Sequence, residues 1–138
     1  MKAYVDSSVL LRVVFGEKSQ LDEWSQLEHV VCSSITRVEC LRTIDRMRLR
    51  LQLSDKDVSY RHTAVFSVLK HMDVIDLSST VLDRASQPFP TMLGTLDAIH
   101  LASALAWQSD TQIRLLFLTH DQELGRAARA MNFEVLGC

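Results

Sequence analysis

The chain has few residues that interrupt secondary structure. Its 138 residues include only two prolines and four glycines, while 47% are hydrophobic and 23% are charged. This composition is typical of a compact globular protein with short loops, and it argues against a largely disordered chain. A chain of this length suits one domain with one hydrophobic core. We therefore expect a single domain over residues 1–138.

Cysteines and long apolar segments are also scarce. The three cysteines, Cys32, Cys40 and Cys138, are odd in number and widely separated, which disfavours a disulfide framework, a zinc ribbon or a thioredoxin-like motif. No run approaches the roughly 20 apolar residues that cross a bilayer, and the N-terminus lacks the apolar core of a signal peptide. The sequence therefore predicts a reduced, cytoplasmic protein that does not enter a membrane.

A positive net charge and the common nucleotide-binding motifs are missing as well. The formal net charge is −2, so an anionic partner would have to bind a local basic patch or a bound cation. The chain contains no GxxxxGK[ST] loop, no GxGxxG after a predicted strand and no HExxH. P-loop nucleotidases, dinucleotide enzymes and zincins therefore lose their main sequence support.

The segments that are present alternate between strand-like and helix-like patterns. The strongest strand pattern is IRLLFLT, which is almost unbroken in its apolar character, as in a parallel strand that is buried on both faces. The alternation predicts an α/β fold, namely a single-domain α/β/α sandwich around a central, mainly parallel sheet. Predicted strands are KAYV, HVVCS, DVIDL, IRLLFLT and FEVL, and predicted helices cover VLLRVVF, residues 19–28, residues 35–50, Ser54 to about Met72, a short segment ending at Ala85, LDAIHLASALAWQ and QELGRAARAM.

Four acidic residues border these elements. Asp6, Glu39, Asp97 and Asp121 each stand where a predicted strand ends or a predicted helix begins. In open α/β sheets the functional crevice lies beyond the carboxyl ends of the strands, so we expect the four carboxylates to meet there. Asp97 falls in the first turn of a helix that Thr95 is predicted to cap, where the helix dipole favours a negative charge.

Carboxylates that are brought together repel one another, and a shared divalent cation is the usual remedy. All-oxygen ligands favour Mg²⁺ or Mn²⁺ over zinc, with either one or two ions. Such a site can activate water for phosphodiester hydrolysis without a Ser or Cys nucleophile. Taken singly, each acid also has a structural interpretation, because Asp6, Asp97 and Asp121 suit helix starts and Glu39 suits a surface ion pair.

The order and spacing of four segments resemble the PIN-domain family, and within it the VapC-type ribonuclease toxins of toxin–antitoxin pairs. The segments are YVDSSVLL, SSITRVECLR, LDAIHLASAL and LFLTHDQELGRAA, and together they span almost the whole chain. The resemblance implies that Asp6, Glu39 and Asp97 are the core metal-binding acids and that Asp121 assists the metal site or the water. Ser7 and Thr119 match hydroxyl positions that support such a site.

The same resemblance implies an activity and a set of partners. It implies an endoribonuclease that hydrolyses RNA with Mg²⁺ or Mn²⁺, forms a homodimer and acts as the toxin of a type II toxin–antitoxin system. It also implies a cognate antitoxin protein whose C-terminal segment blocks the acidic pocket.

Histidines and arginines near the acids have less specific patterns. We interpret His100 as a packed helix residue and His120 as a residue lining the pocket, since no HxxxH spacing pairs them as ligands. Arg42 and Arg46 share a helix face with Glu39, which suits contact with RNA or antitoxin but is also typical of a solvated helix face.

Two other classes of function are compatible with the same residues. One is a catalytically inactive PIN-like binding module whose acidic pocket receives a basic partner peptide. The other is a receiver-like protein or phosphatase in which Asp6 accepts a phosphoryl group. The latter class would need a second Asp two residues after Asp6 or a suitably placed Lys after a strand, and the chain has neither.

Overall fold

The computed structural model describes residues 1–17 and 21–138, and the described residues form a five-stranded sheet. Every pair of neighbouring strands is parallel, and the spatial order is β3-β2-β1-β4-β5. This confirms the predicted fold class and places all the carboxyl ends of the strands at one edge of the sheet. The strands are β1 (Lys2–Val5), β2 (His29–Ser33), β3 (Asp73–Ile75), β4 (Leu116–Leu118) and β5 (Glu134–Leu136).

Helices cover both faces of this sheet. Two of them begin with serine caps, because the Ser54 hydroxyl accepts a hydrogen bond from the Asp57 amide at 3.1 Å and Ser78 accepts one from Val81 at 3.2 Å. A cap of this kind satisfies an amide that has no partner within the helix. The helices are α1 (Ser7–Val14), α2 (Ile35–Leu51), α3 (Asp55–Leu69), α4 (Ser79–Ala85), α5 (Thr95–Thr111) and α6 (Gln122–Ala130).

The helix predicted over residues 19–28 is not found where the structure describes this segment. Asp22–Gln26 instead forms a short 3₁₀ helix, while residues 19 and 20 lie outside the described residues. The apolar side chains of Leu21, Trp24 and Leu27 recur every three residues, which is the period of a 3₁₀ helix. All three pack against the core beneath the sheet.

The core has two layers because successive residues of a strand point to opposite faces. On one face Tyr4 packs with Leu101 of α5 and Leu124 of α6. On the other face Ala3 and Val5 pack against the segment that contains the short 3₁₀ helix. Farther from the sheet, α1, α2 and α3 enclose a second cluster, whose side chains are fully buried. That cluster comprises Leu10, Cys40, Ile44 and Val65.

The cysteines and the helices were both the subject of predictions from the sequence. Cys32, Cys40 and Cys138 are all free thiols. Within the described part of the chain, no helix combines the length and the apolar character that a membrane crossing requires.

Candidate active site

Asp6 connects β1 to α1 and is held by neighbours on both sides. Only 4% of the residue is exposed. Its Oδ1 accepts hydrogen bonds from the Ser8 hydroxyl at 2.6 Å and the Val9 amide at 3.2 Å, and its Oδ2 accepts one from the Thr119 hydroxyl at 2.6 Å. These donors and the start of the helix stabilise a buried carboxylate. The phospho-acceptor role considered for Asp6 gains no support, because the residue two positions on is Ser8, whose hydroxyl donates to the carboxylate.

A second strand-to-helix connection, from β4 to α6, is tied to the first. The Thr119 hydroxyl accepts a hydrogen bond from the Asp121 amide at 3.0 Å while it donates to Asp6. Asp121 then caps α6, since its Oδ1 accepts a bond from the Leu124 amide at 2.8 Å. The His120 amide donates to the Ser8 hydroxyl at 3.0 Å. Two hydroxyls therefore link the chain segments that carry Asp6 and Asp121.

Ser7 was predicted to support the site, but the hydroxyl that contacts the Asp6 carboxylate belongs to the next residue, Ser8. Ser7 is the first residue of α1 and lines the cleft beside Glu39, whereas Ser8 donates to the Asp6 carboxylate. Ser8 was not among the predicted site residues. Its signal is the spacing Asp-x-Ser, which allows a local bond between residues two positions apart.

Glu39, the fifth residue of α2, contacts a histidine of the opposite helical layer. Its Oε1 lies 2.5 Å from Nε2 of His100, and Nδ1 of His100 lies 2.7 Å from the hydroxyl oxygen of Tyr4. The Glu39 side chain is 21% exposed, the His100 side chain is 1% exposed and Tyr4 is fully buried. His100 is packed, as predicted, but its contact with Glu39 has no local sequence signal because 61 positions separate the two residues.

Asp97 lies half-buried in the first turn of α5, where burial and the charges of the other acids oppose its ionisation. The helix starts at Thr95 with Gly94 as its cap, so Thr95 is the first helical residue and not the cap. Burial is the main reason that the pKa of Asp97 is raised to about 6, and the charge of Asp121 is the second. Asp6 and Glu39 raise the pKa further, while His100 lowers it. All three other acids are therefore close enough to act on the charge of Asp97.

The four acids are neighbours but do not form a finished coordination shell. Across residues 1–17 and 21–138, no three His, Cys, Asp or Glu side chains are arranged so that they could hold a metal ion as they stand. The donor chemistry nevertheless fits Mg²⁺ or Mn²⁺, because every candidate ligand is a carboxylate oxygen. Like charges that lie close together repel, and this repulsion adds to burial in raising the pKa of Asp97.

A cleft of about 380 Å³ begins beside Glu39 and contains the two predicted arginines. Arg42 and Arg46 are exposed, and both make local contacts on α2. Arg42 contacts Asp45 at 3.3 Å, and Arg46 contacts Thr43 at 3.0 Å. Both arginines therefore line the same cleft as Glu39. The cleft is lined by Ser7, Ile35, Val38, Glu39, Arg42, Thr43, Arg46 and Leu96.

A larger groove of about 590 Å³ lies elsewhere, between the start of α2, the end of α3 and β3. Arg37 and Lys70 are its charged residues, and Phe66, Leu69 and Val74 are its apolar ones. None of the four acids lines it, so its size does not make it the candidate active site.

The fold and the acidic edge together define an open-sheet α/β protein whose candidate site lies at the carboxyl ends of its parallel strands. The PIN domain family model matches residues 3–130. The chain therefore belongs to the PIN domain family.

Similar proteins cover nearly the full chain. Ribonuclease VapC46 of Mycobacterium tuberculosis is 32% identical over 136 residues, which span 96% of this chain and 95% of that protein. A toxin–antitoxin complex from Klebsiella pneumoniae contains a chain with a TM-score of 0.68 and 17% identity, with 97% of this chain and 95% of that one covered. FitAcB from Neisseria gonorrhoeae gives a TM-score of 0.71 at 17% identity and covers 98% of this chain and 96% of that one. The two structural similarities support the fold.

Proposed function

We propose that this protein is a VapC-type toxin, a metal-dependent endoribonuclease of a type II toxin–antitoxin system. The observation that carries the proposal is that Asp6, Glu39 and Asp121, from three other segments, lie close enough to Asp97 to raise its pKa. The similarity to a protein named Ribonuclease VapC46 supports the same activity.

Mg²⁺ or Mn²⁺ bound at this edge would polarise the scissile phosphate and lower the pKa of an attacking water. The protein's own contribution is to hold the oxygen ligands. Asp6 is fixed by three donors, and Glu39 is fixed by His100. Asp97 must be ionised to bind a cation, so a proton competes with the metal as the pH falls toward 6. Asp121 supplies the fourth carboxylate, to the metal or to the water.

RNA binding is assigned to the cleft beside Glu39. The chain has no overall positive charge, so phosphate groups need local cations, which Arg42 and Arg46 provide. Val38 and Leu96 are 56% and 51% exposed and line the same cleft, where they offer apolar surface to a nucleobase. The RNA backbone would run from these arginines to the acids.

The partners and location follow the same proposal. The acidic edge suits a basic segment of a cognate antitoxin, and the similarity to a chain of a toxin–antitoxin complex supports such a partner. We also propose a homodimer that acts in the cytoplasm.

Size-exclusion chromatography with light scattering tests the proposed homodimer. It would give a dimer mass if the homodimer forms, and a monomer mass at all concentrations would contradict it.

Cleavage of RNA by the purified protein tests the proposed activity. We expect cleavage in Mg²⁺ or Mn²⁺, no cleavage in EDTA, and product ends without a 2′,3′-cyclic phosphate, because water and not the 2′-hydroxyl attacks. Asp6→Asn should lower the rate by at least about 100-fold, while Asp110→Asn, an exposed acid at the end of α5, should not change it. A folded protein that cuts no RNA with either metal would overturn the activity.

A second candidate is the catalytically inactive binding module. It is favoured by one observation, that no three acidic side chains among the described residues are arranged to hold an ion. Calorimetry with Mn²⁺ and with a basic peptide separates the two functions. Peptide binding without metal uptake would favour the module, and metal uptake that depends on Asp97 would favour the enzyme.

A further inference from the structure

A series of side-chain contacts between three residues joins the sheet to the candidate metal site. Tyr4 of β1, His100 of α5 and Glu39 of α2 are linked in that order by contacts of 2.7 Å and 2.5 Å. Tyr4 and His100 are almost completely enclosed, and their rings meet edge to face at 5.9 Å. Of these three side chains, only that of Glu39 reaches solvent.

The direction of the hydrogen bond to Glu39 follows from its chemistry. An ionised carboxylate has no hydrogen to give, so Nε2 of His100 must carry the hydrogen and donate it to Oε1. The Tyr4 hydroxyl oxygen lies within hydrogen-bond distance of Nδ1, so the second nitrogen of the ring is also engaged.

The contact leaves one oxygen of Glu39 available. Oε1 is engaged by His100, whereas Oε2 makes no hydrogen bond within the described part of the chain. A glutamate has three rotatable side-chain torsions, and a free one would sample many orientations. His100 cannot move in this way because it is packed within α5 and held at its second nitrogen.

We propose that His100 is a positioning residue: its Nε2–H fixes the Glu39 carboxylate so that Oε2 is presented to the divalent cation, and Tyr4 fixes the His100 ring. The proposal rests on the proposed function, since it concerns the cation of that same site. His100 itself does not bind the metal. A role in packing alone would also explain the burial of His100. The two roles differ in their prediction for a substitution of His100: only the loss of a positioning residue should weaken metal binding by a folded protein.

Metal binding by variants tests the proposal without any measurement of cleavage. Mn²⁺ affinity is measured by calorimetry on His100→Leu, which removes the donor, and on His100→Gln, whose amide can still donate to Glu39. Loss of a hydrogen bond to a ligand typically weakens metal affinity by about 10- to 100-fold. We expect a loss of that size for His100→Leu and less than about tenfold for His100→Gln. Tyr4→Phe keeps the ring and should fall between the wild type and His100→Leu.

His29→Leu is the matched control, since His29 also contacts an acid, Asp73 at 3.6 Å, but lies at the start of β2. It should bind Mn²⁺ as the wild type does. Circular dichroism and denaturant unfolding show whether each variant is folded. If neither His100 variant folds, Tyr4→Phe decides the question, because it removes a single oxygen.

The outcomes separate this inference from the function on which it rests. Wild-type affinity in folded His100→Leu, or in Tyr4→Phe when His100 variants do not fold, would overturn the positioning role alone. A wild-type protein that neither binds Mn²⁺ nor cleaves RNA would overturn the proposed function and this inference with it. Weakened binding that His100→Gln restores, with unchanged His29→Leu, would support both.

Discussion

Asp97 is subject to opposing electrostatic effects. Its place in the first turn of α5 favours a negative charge, because the helix start presents unpaired amides. Burial and the charges of Asp121, Asp6 and Glu39 oppose ionisation, and together they outweigh the helix and His100, so the pKa is raised to about 6. A bound cation would offset the part of this penalty that comes from the neighbouring carboxylates, because its charge is opposite to theirs.

The raised pKa of Asp97 predicts how metal-free stability depends on pH. A carboxyl group whose pKa rises from 3.8 to about 6 on folding binds more protons in the folded state, so stability falls as the pH rises through that window. Asp97→Asn should therefore raise the free energy of unfolding of the metal-free protein at pH 7.5 by about 1 kcal/mol, a value discounted for partial exposure. The gain should vanish below pH 3.8. Urea unfolding in EDTA at several pH values checks it.

Asp110→Asn on the same helix is the control for Asp97→Asn, because Asp110 is exposed. It should change stability little at any pH. Equal effects of the two substitutions would mean that the acidic edge imposes no special penalty on Asp97.

Thr119 is predicted to be essential for the geometry of Asp6. Its hydroxyl donates to Asp6 Oδ2 and accepts from the Asp121 amide, and the residue is fully buried. Thr119→Val should lower the free energy of unfolding by about 2 kcal/mol, because it leaves a buried carboxylate short of a donor. Thr119→Ser keeps the hydroxyl and should lose only about 1 kcal/mol. Urea unfolding that ranks the two variants equally would contradict this role.

At the scale of elements, α2 carries both a ligand and the proposed RNA surface. Glu39, Arg42 and Arg46 line one cleft, whereas Arg50 lies exposed at the end of the same helix. A helix brings residues three, four and seven positions apart to one face. The same element can therefore position a carboxylate near the reacting phosphate and cations along the flanking RNA.

The two cleft arginines are predicted to bind RNA through phosphates. On an Asp97→Asn background, which prevents cleavage, Arg42→Gln and Arg46→Gln should each weaken binding of single-stranded RNA. Each should also lower the slope of log affinity against log salt by about 0.7. Arg50→Gln is the control and should change neither quantity. Fluorescence anisotropy at several salt concentrations makes the measurement, and equal losses for Arg46→Gln and Arg50→Gln would exclude a specific role for the cleft.

The elements were predictable where local signals and tertiary packing agree. β1 and the start of α1 follow from KAYV and the cap at Asp6, and both are found. IRLLFLT predicts the right strand but too long a one, because β4 pairs with β1 only from Leu116 to Leu118. Strand length thus depends on the partner strand. The short 3₁₀ helix at Asp22–Gln26 was predicted as an α-helix since three apolar residues at a spacing of three fit both periods.

The candidate site was only partly predictable, because some of its contacts depend on tertiary packing and have no local sequence pattern. Asp6, Asp97 and Asp121 stand at or within one turn of element boundaries, and Glu39 lies in the second turn of α2. A parallel sheet brings such positions to one edge whatever their separation along the chain. The contact between Glu39 and His100 depends instead on how two helical layers meet, and no local pattern encodes it. Ser8 had a local signal, the spacing from Asp6, but two adjacent serines leave open which hydroxyl turns toward the carboxylate.

For the molecule as a whole, metal binding should be coupled to folding stability. A ligand that binds only the folded state adds about 2.7 kcal/mol at 100 times its dissociation constant. Mn²⁺ or Mg²⁺ should therefore raise the unfolding temperature of the wild type, and it should do so less in Asp97→Asn. The effect should weaken from pH 7.5 to pH 5.5, because protonated Asp97 cannot bind a cation. Thermal unfolding with Ca²⁺-free buffers checks this, and a pH-independent effect would place the metal elsewhere.

The central claim is that carboxylates from four segments share a divalent cation. Anomalous diffraction from crystals soaked in Mn²⁺ tests it most directly, because the manganese signal gives the position of the ion without assumptions about activity. The account predicts a peak bound by Asp6, Glu39 and Asp97, with Asp121 bound to it directly or through water, and no peak there in Asp97→Asn. A manganese peak bound by other residues in a protein that still cleaves RNA would contradict the account.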